Sequence, residues 1–454
     1  SDGELDYPGN WKASVYIGGS PGQAEPAAPA ASLVLNEILA HTDVTGQTYD
    51  SNDGIELYNA SASPVTLGAG WYLSDDPQDL KKWAIPAANT VAAHGWRYFD
   101  EIHDFHTAST NGFGLDKAGE WVLLSWLPGT GQDRVVDAVT FGAQENGVPL
   151  VRFPDGAADW LAGASTPGAS NRLSNADIQI AEVMYHPRPT SANPENNEND
   201  EFVELLNPTA QAVTLMNVGA DAGVWRLAGG IGYDFPSNTV LSAGGRLAVV
   251  PFDPTNSPAA LSAFLSAYGL TNGQVRLLGP FSGQLNNKTD SVKLERPVSP
   301  DAAGGDASWH AVDQVTYYDA SPWPATADGT GRPLSRLPGQ NSGDDPANWM
   351  AGLGATPGRG PAKVAVTAPA DGFGVLAPAS LAVAAEIDPY FIVGAVSRIV
   401  FAVDGVDAAT VTHAPYTASV ALAAREGVRR ITARLTDGEG DTTSASVPIM
   451  VYTN

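Results

Sequence analysis

A six-residue stretch occurs twice in this chain, and it limits what the chain can fold into. The two copies are residues 136–141 (VDAVTF) and 312–317 (VDQVTY). Each alternates apolar and polar residues, which is the period of a half-buried β-strand. Each is also followed by the same ending, Thr166-Pro167-Gly168 in the first copy and Thr356-Pro357-Gly358 in the second. The sequence therefore predicts a repeated all-β module.

The ending occurs a third time near the start of the chain, without a strand stretch before it. Asn10-Trp11 and Ser20-Pro21-Gly22 lead into a Pro/Ala-rich run at 23–30, which predicts a semi-extended linker. We divide the chain into residues 1–31, the ending of a preceding module plus linker; 32–174, a first module; 175–361, a second module with insertions; and 362–454, a last module with short strands and Asp-Gly turns.

Composition fits many short strands and narrows the range of functions. The 48 Gly and 34 Pro residues supply tight turns. The lack of cysteine excludes disulfides, zinc–thiolate sites and thiol chemistry. A formal net charge of −26 repels phosphate backbones, so nucleic acid is not an expected partner. Because no run of about 18 apolar residues occurs, no membrane span is predicted.

The order of motifs inside the two large modules can be aligned. Residues 238–240 (NTV) and 244–246 (GGR) align with 89–91 (NTV) and 95–97 (GWR) at one constant offset, and 291–294 aligns with 120–123. An insertion in the second module, residues 259–268, has the spacing of an amphipathic helix and is the one helix that we predict.

The motif order resembles the bacterial lamin-tail domain, an immunoglobulin-like (Ig-like) β-sandwich. The residues that carry the resemblance in the first module are Asn36-Glu37-Ile38, 55–59 (IELYN), Trp71-Tyr72-Leu73, the VDAVTF stretch and the Trp…Thr-Pro-Gly ending. The second module matches through 181–187 (AEVMYHP) and 200–205 (DEFVEL). The last module resembles bacterial Ig-like domains through 369–372 (PADG) and 433–440 (ARLTDGEG). These resemblances imply tandem Ig-like β-sandwiches joined by Pro/Ala/Gly linkers in an exported protein, and they imply no catalytic residue.

Two pairs of glutamates recur on neighbouring predicted strands, Glu37 with Glu56 and Glu182 with Glu204. A glycosidase needs two opposed carboxylates in a cleft. Two modules seldom keep the same active site, however, so a repeated pair favours a role in the fold. We expect these carboxylates to accept hydrogen bonds from backbone amides and to fix the long acidic loop that lies between them.

Calcium is the one cofactor for which the loops offer candidate ligands. Asp50 and Asp53 in the first module, and Asp200 and Glu201 in the second, place hard oxygen atoms between strands. Neither loop has the EF-hand pattern. Solvated turns are the alternative interpretation.

Three tryptophans lie in the parts of the second module that depart from the first, Trp225, Trp309 and Trp323. If exposed, they would form a surface on which sugar rings stack. If buried, they are core residues.

The sequence leads to two hypotheses of function. The first is a non-catalytic extracellular or cell-surface protein of structural or adhesive type, whose partners are other copies of itself or cell-surface components, with residues 1–30 bracing an adjoining molecule. The second is the accessory region of a larger secreted enzyme, used for attachment or for binding polysaccharide.

Overall fold

A computed structural model confirms the predicted fold class, tandem Ig-like β-sandwiches. The structure describes residues 14–19, 23–24, 33–44, 47, 49, 51–87, 89–107, 112–173, 177–190, 197–219, 222–299, 307–339, 342–392, 395–438, 440 and 442–453. Most of residues 1–31, including Trp11, therefore lie outside the described part, as do Asp50 and residues 25–30 of the Pro/Ala run.

In the first module a six-stranded sheet faces a four-stranded sheet, and one two-stranded ladder lies beside them. The strands are β1 (Leu33–Leu39), β2 (Gly54–Asn59), β3 (Val65–Leu67), β4 (Trp71–Ser74), β5 (Trp83–Ala84), β6 (Asn89–Val91), β7 (Trp96–Asp100), β8 (Trp121–Trp126), β9 (Arg134–Thr140), β10 (Leu150–Arg152), β11 (Trp160–Ala164) and β12 (Arg172–Leu173). The orders are β12-β11-β10-β1-β2-β7, β5-β4-β8-β9 and β3-β6. A π-helical turn, Glu101–Phe105, follows β7.

The second module has a six-stranded and a five-stranded sheet with two short ladders. Its strands are β13 (Gln179–Met184), β14 (Phe202–Leu206), β15 (Val213–Thr214), β16 (Met216–Asn217), β17 (Gly223–Val224), β18 (Arg226–Gly229), β19 (Ile231–Asp234), β20 (Val240–Leu241), β21 (Arg246–Val249), β22 (Leu277–Leu278), β23 (Ser282–Gly283), β24 (Thr289–Val298), β25 (Ser308–Tyr318), β26 (Leu334–Arg336) and β27 (Trp349–Ala351). The sheet orders are β22-β21-β14-β13-β26-β27 and β23-β19-β18-β24-β25, and the ladders are β15-β20 and β16-β17.

The last module consists of a three-stranded and a five-stranded sheet. Its strands are β28 (Val364–Ala368), β29 (Phe373–Ala377), β30 (Ala379–Ile387), β31 (Arg398–Val403), β32 (Val406–Val411), β33 (Thr417–Leu422), β34 (Gly427–Thr436) and β35 (Thr442–Thr453). The orders are β28-β30-β33 and β29-β35-β34-β31-β32, with β29 parallel to β35.

Three separate hydrophobic cores fill the spaces between these pairs of sheets. They lie within residues 33–160, 178–351 and 364–451. Each core is built from the inward-facing alternate residues of its strands, as expected for packed sheets. The interior of each sandwich is thus closed on its own.

The repeated VDAVTF stretch holds the two sheets of a module together through its aspartate. A β-bulge in β1 shifts the register after Leu35. Asp137 accepts the Leu35 N–H at 2.9 Å, Arg152 donates to the Leu35 carbonyl at 2.7 Å, and the two side chains form an ion pair. Because strands of the facing sheet and of the bulged sheet both contribute, the repeat joins the two layers.

We call this arrangement, an aspartate–arginine ion pair that hydrogen-bonds the backbone at a β-bulge, the clamp. The second module has an equivalent clamp. A bulge follows Ile180, Asp313 accepts its N–H at 2.7 Å, and Arg336 donates to its carbonyl at 3.3 Å while pairing with Asp313. Arg336 and Asp313 are almost fully buried, with side-chain exposures of 3% and 5%.

The structure corrects the sequence alignment of the two modules by one residue. Val65 of β3 pairs with Val91, and the matching pair in β15 and β20 is Val213 with Leu241. Val91 therefore corresponds to Leu241 rather than to Val240. A slip of one residue moves a side chain to the other face of a strand, and Val240 is 42% exposed whereas Leu241 is buried. The shared Asn-Thr-Val letters misled the alignment.

The predicted helix is confirmed as α1 (Pro258–Ala267). Pro258 occupies the first turn, where a missing N–H has no cost. Phe264 and Leu265 are buried, and Phe264 packs with Met184 and Phe202 in a small satellite core outside the main sandwich. The helix thus covers one end of the six-stranded sheet.

Candidate functional site: repeated carboxylates, a module junction and a basic cleft

The first pair of repeated glutamates binds the Thr-Pro-Gly ending. Glu37 and Glu56 lie opposite each other on β1 and β2, and both are fully buried. Glu37 accepts from the Thr166 N–H at 3.0 Å and from its hydroxyl at 2.9 Å. Glu56 accepts from the Gly168 N–H at 2.6 Å. Both carboxylates therefore accept hydrogen bonds from the ending, which crosses from one strand to the next. We call this segment the strap.

The second pair does the same in its module. Glu182 and Glu204 are opposite each other on β13 and β14 and fully buried. Glu182 accepts from the Thr356 N–H at 3.4 Å and Glu204 from the Gly360 N–H at 3.0 Å, while Arg246 pairs with Glu204. We expected backbone amides as partners, and that is the case, but the amides belong to the ending and not to the acidic loop.

Burial controls the protonation of these pairs. Loss of solvation raises the pKa of Glu56 to about 7, and it also raises the pKa of Glu37. Burial, followed by the facing Glu204, raises the pKa of Glu182 well above its usual value. A raised pKa in a cleft marks many catalytic acids. Here the carboxylates face backbone amides of their own chain instead of an open cleft, which fits a structural role.

Two of the calcium candidates are also buried and bound to backbone amides. Asp53 and Glu201 occupy corresponding positions, just before β2 and β14. Asp53 accepts the Leu115 N–H at 3.1 Å, and Glu201 accepts the Leu285 N–H at 3.0 Å. Burial raises the pKa of Asp53 to about 7 and that of Glu201 to about 8. These hydrogen bonds tie each residue to a loop of its own module, and the calcium role suggested by the sequence stays a prediction.

The structure describes one of the other two candidates. Asp200 is half-buried and accepts from the Asn197 amide at 2.6 Å. Asp50 lies outside the described residues. In the part of the chain that the structure describes, no three His, Asp or Glu side chains are close enough together to share a metal ion.

The structure corrects the interpretation of two of the three tryptophans as a sugar platform. Trp225 and Trp323 are 2% and 3% exposed and belong to the core of the second module. Trp309 is half-buried, and the Arg226 guanidinium lies 3.7 Å from the centre of its ring. Trp225 and Trp323 are buried because they pack in the core against the divergent strands. Arg226 covers one face of the Trp309 ring.

A junction between the first two modules was not anticipated from the sequence. Arg296 at the end of β24 pairs with Glu145 of the first module and with Asp177 at 3.3 Å. His310 of β25 is buried and bonds through Nδ1 to the Ala143 carbonyl at 3.0 Å. Burial lowers the pKa of His310 to about 4, so the ring is neutral at physiological pH. These contacts join the two modules directly.

A cleft of about 1,810 Å³ lies between the second and last modules. Its described lining contains five basic side chains and two acidic ones, Asp200 and Asp371. The basic side chains are Arg188, Arg332, Arg359, Lys363 and Arg430. The whole chain has 24 Lys and Arg against 50 Asp and Glu, so the excess of basic over acidic side chains is a local feature of this cleft. The sequence carried no signal for it, because the five residues are spread over more than 240 positions.

Comparisons with known proteins identify one part of the chain. Residues 363–433 match the bacterial Ig domain family. No curated protein matches the chain. No helix within the described residues is long and apolar enough to cross a membrane.

Among solved structures, the chain is similar to the fibronectin(III)-like modules of Clostridium thermocellum CbhA, with 27% identity over 20% of this chain and 96% of that one, at a TM-score of 0.17. A DUF4876 family protein of Bacteroides thetaiotaomicron is 11% identical over 69% of this chain and 88% of that one, at 0.26. A bacterial ice-binding adhesin is 12% identical over 93% and 98%, at 0.16. The Ig-like character of the chain is thus shown by the match at 363–433 and by the sandwiches themselves.

Proposed function

We propose that this chain is a non-catalytic structural or adhesive protein that acts outside a bacterial cell, as a series of Ig-like modules held in fixed relative orientation. The observation that carries the proposal is the junction formed by Arg296 and His310. A flexible linker alone would let the modules rotate, whereas the paired guanidinium and the buried imidazole fix one orientation. Interfaces between domains otherwise permit relative motion by default.

The repeated carboxylates support this proposal. Each of the four accepts a hydrogen bond from a backbone amide of its module's ending, so each module uses these acidic residues to hold its own ending on the sheet. The bacterial Ig domain at 363–433 is a module type consistent with an extracellular setting.

We also propose that the first two modules are lamin-tail domains and that the boundaries near 31, 174 and 361 separate independent units. The matching clamps and straps of the two modules support a common fold. The Ile17 N–H donates to the Asp133 carbonyl at 2.9 Å, so part of the N-terminal segment lies on the first module. Assembly through residues 1–31 remains part of this proposal.

Small-angle X-ray scattering of the full chain tests the fixed orientation. The wild type should scatter as one extended particle, and Arg296→Ala should broaden the distribution of dimensions because the junction loses its ion pairs. Arg226→Ala is the matched control, since Arg226 pairs with Glu295 inside the second module. If the wild type already scatters as freely jointed modules, the proposal is wrong.

Assembly is tested separately by electron microscopy of the full chain and of a chain lacking residues 1–30. Filaments formed by the full chain and absent from the shortened chain would support the connector role. Identical behaviour of the two would exclude it.

A further inference from the structure

We propose that the cleft between the second and last modules binds an acidic polysaccharide, one whose sugars carry carboxylate or sulfate groups. This goes beyond the proposed structural role, which would hold whether or not the cleft is occupied. The lining residues that carry the argument are Arg188, Arg359, Arg430 and the hydroxyl-bearing residues 442–444.

Both walls of the cleft present cations that are available to a ligand. Arg359 on the second module and Arg430 on the last module are exposed, and neither guanidinium has a hydrogen-bond or ion-pair partner among the described residues. Arg188 is held in place because its guanidinium donates to the Thr330 carbonyl at 3.0 Å and 3.2 Å. A guanidinium binds carboxylate or sulfate through two parallel N–H donors, which makes arginine suited to such groups.

The other two cations each have an acidic partner. Arg332 lies 3.8 Å from Glu386, and Lys363 lies 3.7 Å from Asp437. A contact of this length contributes little when both groups are partly exposed, as Arg332 and Glu386 are. Asp437 is fully buried and keeps Lys363 as its partner, so an incoming anion has to displace only the weak pair at Arg332.

The overall negative charge of the chain does not prevent this binding. At physiological ionic strength charges are screened over about 8 Å. A ligand inside the cleft is therefore governed by the charges close to it and not by the acidic surface of the first module. These are the five cations, the lining residues Asp200 and Asp371, and the ion-pair partners Glu386 and Asp437.

The size and lining of the cleft decide between classes of anion. Its volume exceeds the roughly 300–1,000 Å³ of typical small-molecule pockets, so a segment of a polymer fits better than a single metabolite. Nucleic-acid sites stack bases on aromatic rings. Among the described lining residues the one aromatic side chain is Tyr268, which is partly buried and whose hydroxyl donates to the Asp200 carbonyl.

Hydroxyl groups favour a sugar chain over an acidic peptide. Thr442, Thr443 and Ser444 line the wall formed by β35, and Ser262 and Ser266 line the wall formed by α1. A hydroxyl both donates and accepts hydrogen bonds, and so does each hydroxyl of a sugar. The carboxylates of an acidic peptide only accept.

Isothermal titration of the full chain with polygalacturonate tests the proposal, with neutral dextran and polyglutamate as comparison polymers. We expect binding to polygalacturonate that weakens with added salt, and no binding to dextran. Arg359→Ala and Arg430→Ala should each weaken binding about tenfold, the loss expected for one charge-assisted hydrogen-bonded contact. Arg398→Ala is the matched control, since Arg398 is also an exposed strand arginine of the last module but does not line the cleft.

Each contrary outcome overturns the proposal. No binding to polygalacturonate or to dextran sulfate would exclude an acidic polysaccharide. Equal or tighter binding of polyglutamate would assign the cleft to an acidic protein segment instead. Binding that is unchanged in Arg359→Ala and Arg430→Ala would place the ligand elsewhere. Since both arginines are exposed and unpaired, their replacement should leave the fold intact, and circular dichroism checks this.

Discussion

The clamp formed by Asp313 and Arg336 should stabilise the second module mainly by hydrogen-bonding the backbone N–H and carbonyl of Ile180 at the bulge. Arg336→Met removes the partner of a buried carboxylate and one donor to the Ile180 carbonyl. Breaking a buried ion pair by removing one partner costs about 3–5 kcal/mol. We therefore expect Arg336→Met to lower the free energy of unfolding of this module by an amount in that range.

The double variant Asp313→Leu/Arg336→Met separates two explanations. If the residues acted only as an ion pair, replacing both with apolar side chains would be close to neutral or stabilising. In the structure they also satisfy the N–H and the carbonyl of Ile180. Each orphaned buried group costs about 1–3 kcal/mol, so the double variant should remain clearly less stable than the wild type.

Scanning calorimetry of the full chain is the suitable assay, because three separate cores should give separable transitions. One transition should shift in both variants while the others stay unchanged. Arg226→Met is the control, since its partly exposed pair with Glu295 should be worth no more than about 1 kcal/mol. A double variant with wild-type stability would show that the hydrogen bonds from the clamp to the Ile180 backbone do not contribute to stability.

Three further predictions concern the first module. Burial raises the pKa of Glu56 from 4.5 to about 7, so its contribution to stability is fully present below pH 4.5 and is lost as pH rises through 7. The loss amounts to about 3 kcal/mol, and Glu56→Gln should flatten that part of a plot of unfolding free energy against pH. Gly54→Ala should destabilise by about 1–3 kcal/mol, because the new methyl group would lie 1.7 Å from the Tyr98 hydroxyl oxygen. Gly68→Ala, where nothing lies within 4 Å, is its control in thermal unfolding. Asn59→Ala should cost about 1–3 kcal/mol, because the Asn59 side-chain amide lies within hydrogen-bond distance of three backbone carbonyls, and urea unfolding at constant m-value measures this.

Much of the architecture follows from patterns that can be read locally. Alternation of apolar residues located the strands of all three modules, and the repeated VDAVTF stretch correctly marked equivalent strands. The helical spacing at 259–268 gave α1. These features depend on side chains that are near one another in the sequence, so short windows contain the necessary information.

Features that depend on a single residue or on a partner distant in the sequence could not be predicted in this way. The Asn-Thr-Val letters shared by 89–91 and 238–240 suggested a register that burial of Leu241 contradicts. The hydrogen-bond donors to Asp53 and Glu201 could not be predicted locally either, because Leu115 and Leu285 lie 62 and 84 residues away. The basic cleft depends on how two modules meet, and no window of sequence contains that information.

The repeated glutamates hold each module's ending on its sheet, Glu56 through the Gly168 amide and Glu204 through the Gly360 amide. Amide hydrogen exchange of the wild type and of Glu204→Ala measures this contact at single residues. The Gly360 amide should be strongly protected in the wild type and lose its protection in the variant, while the Gly168 amide of the first module should stay protected in both. Rapid exchange of Gly360 and Gly168 in the wild type, or protection of Gly360 that survives the loss of Glu204, would contradict this role of the glutamates.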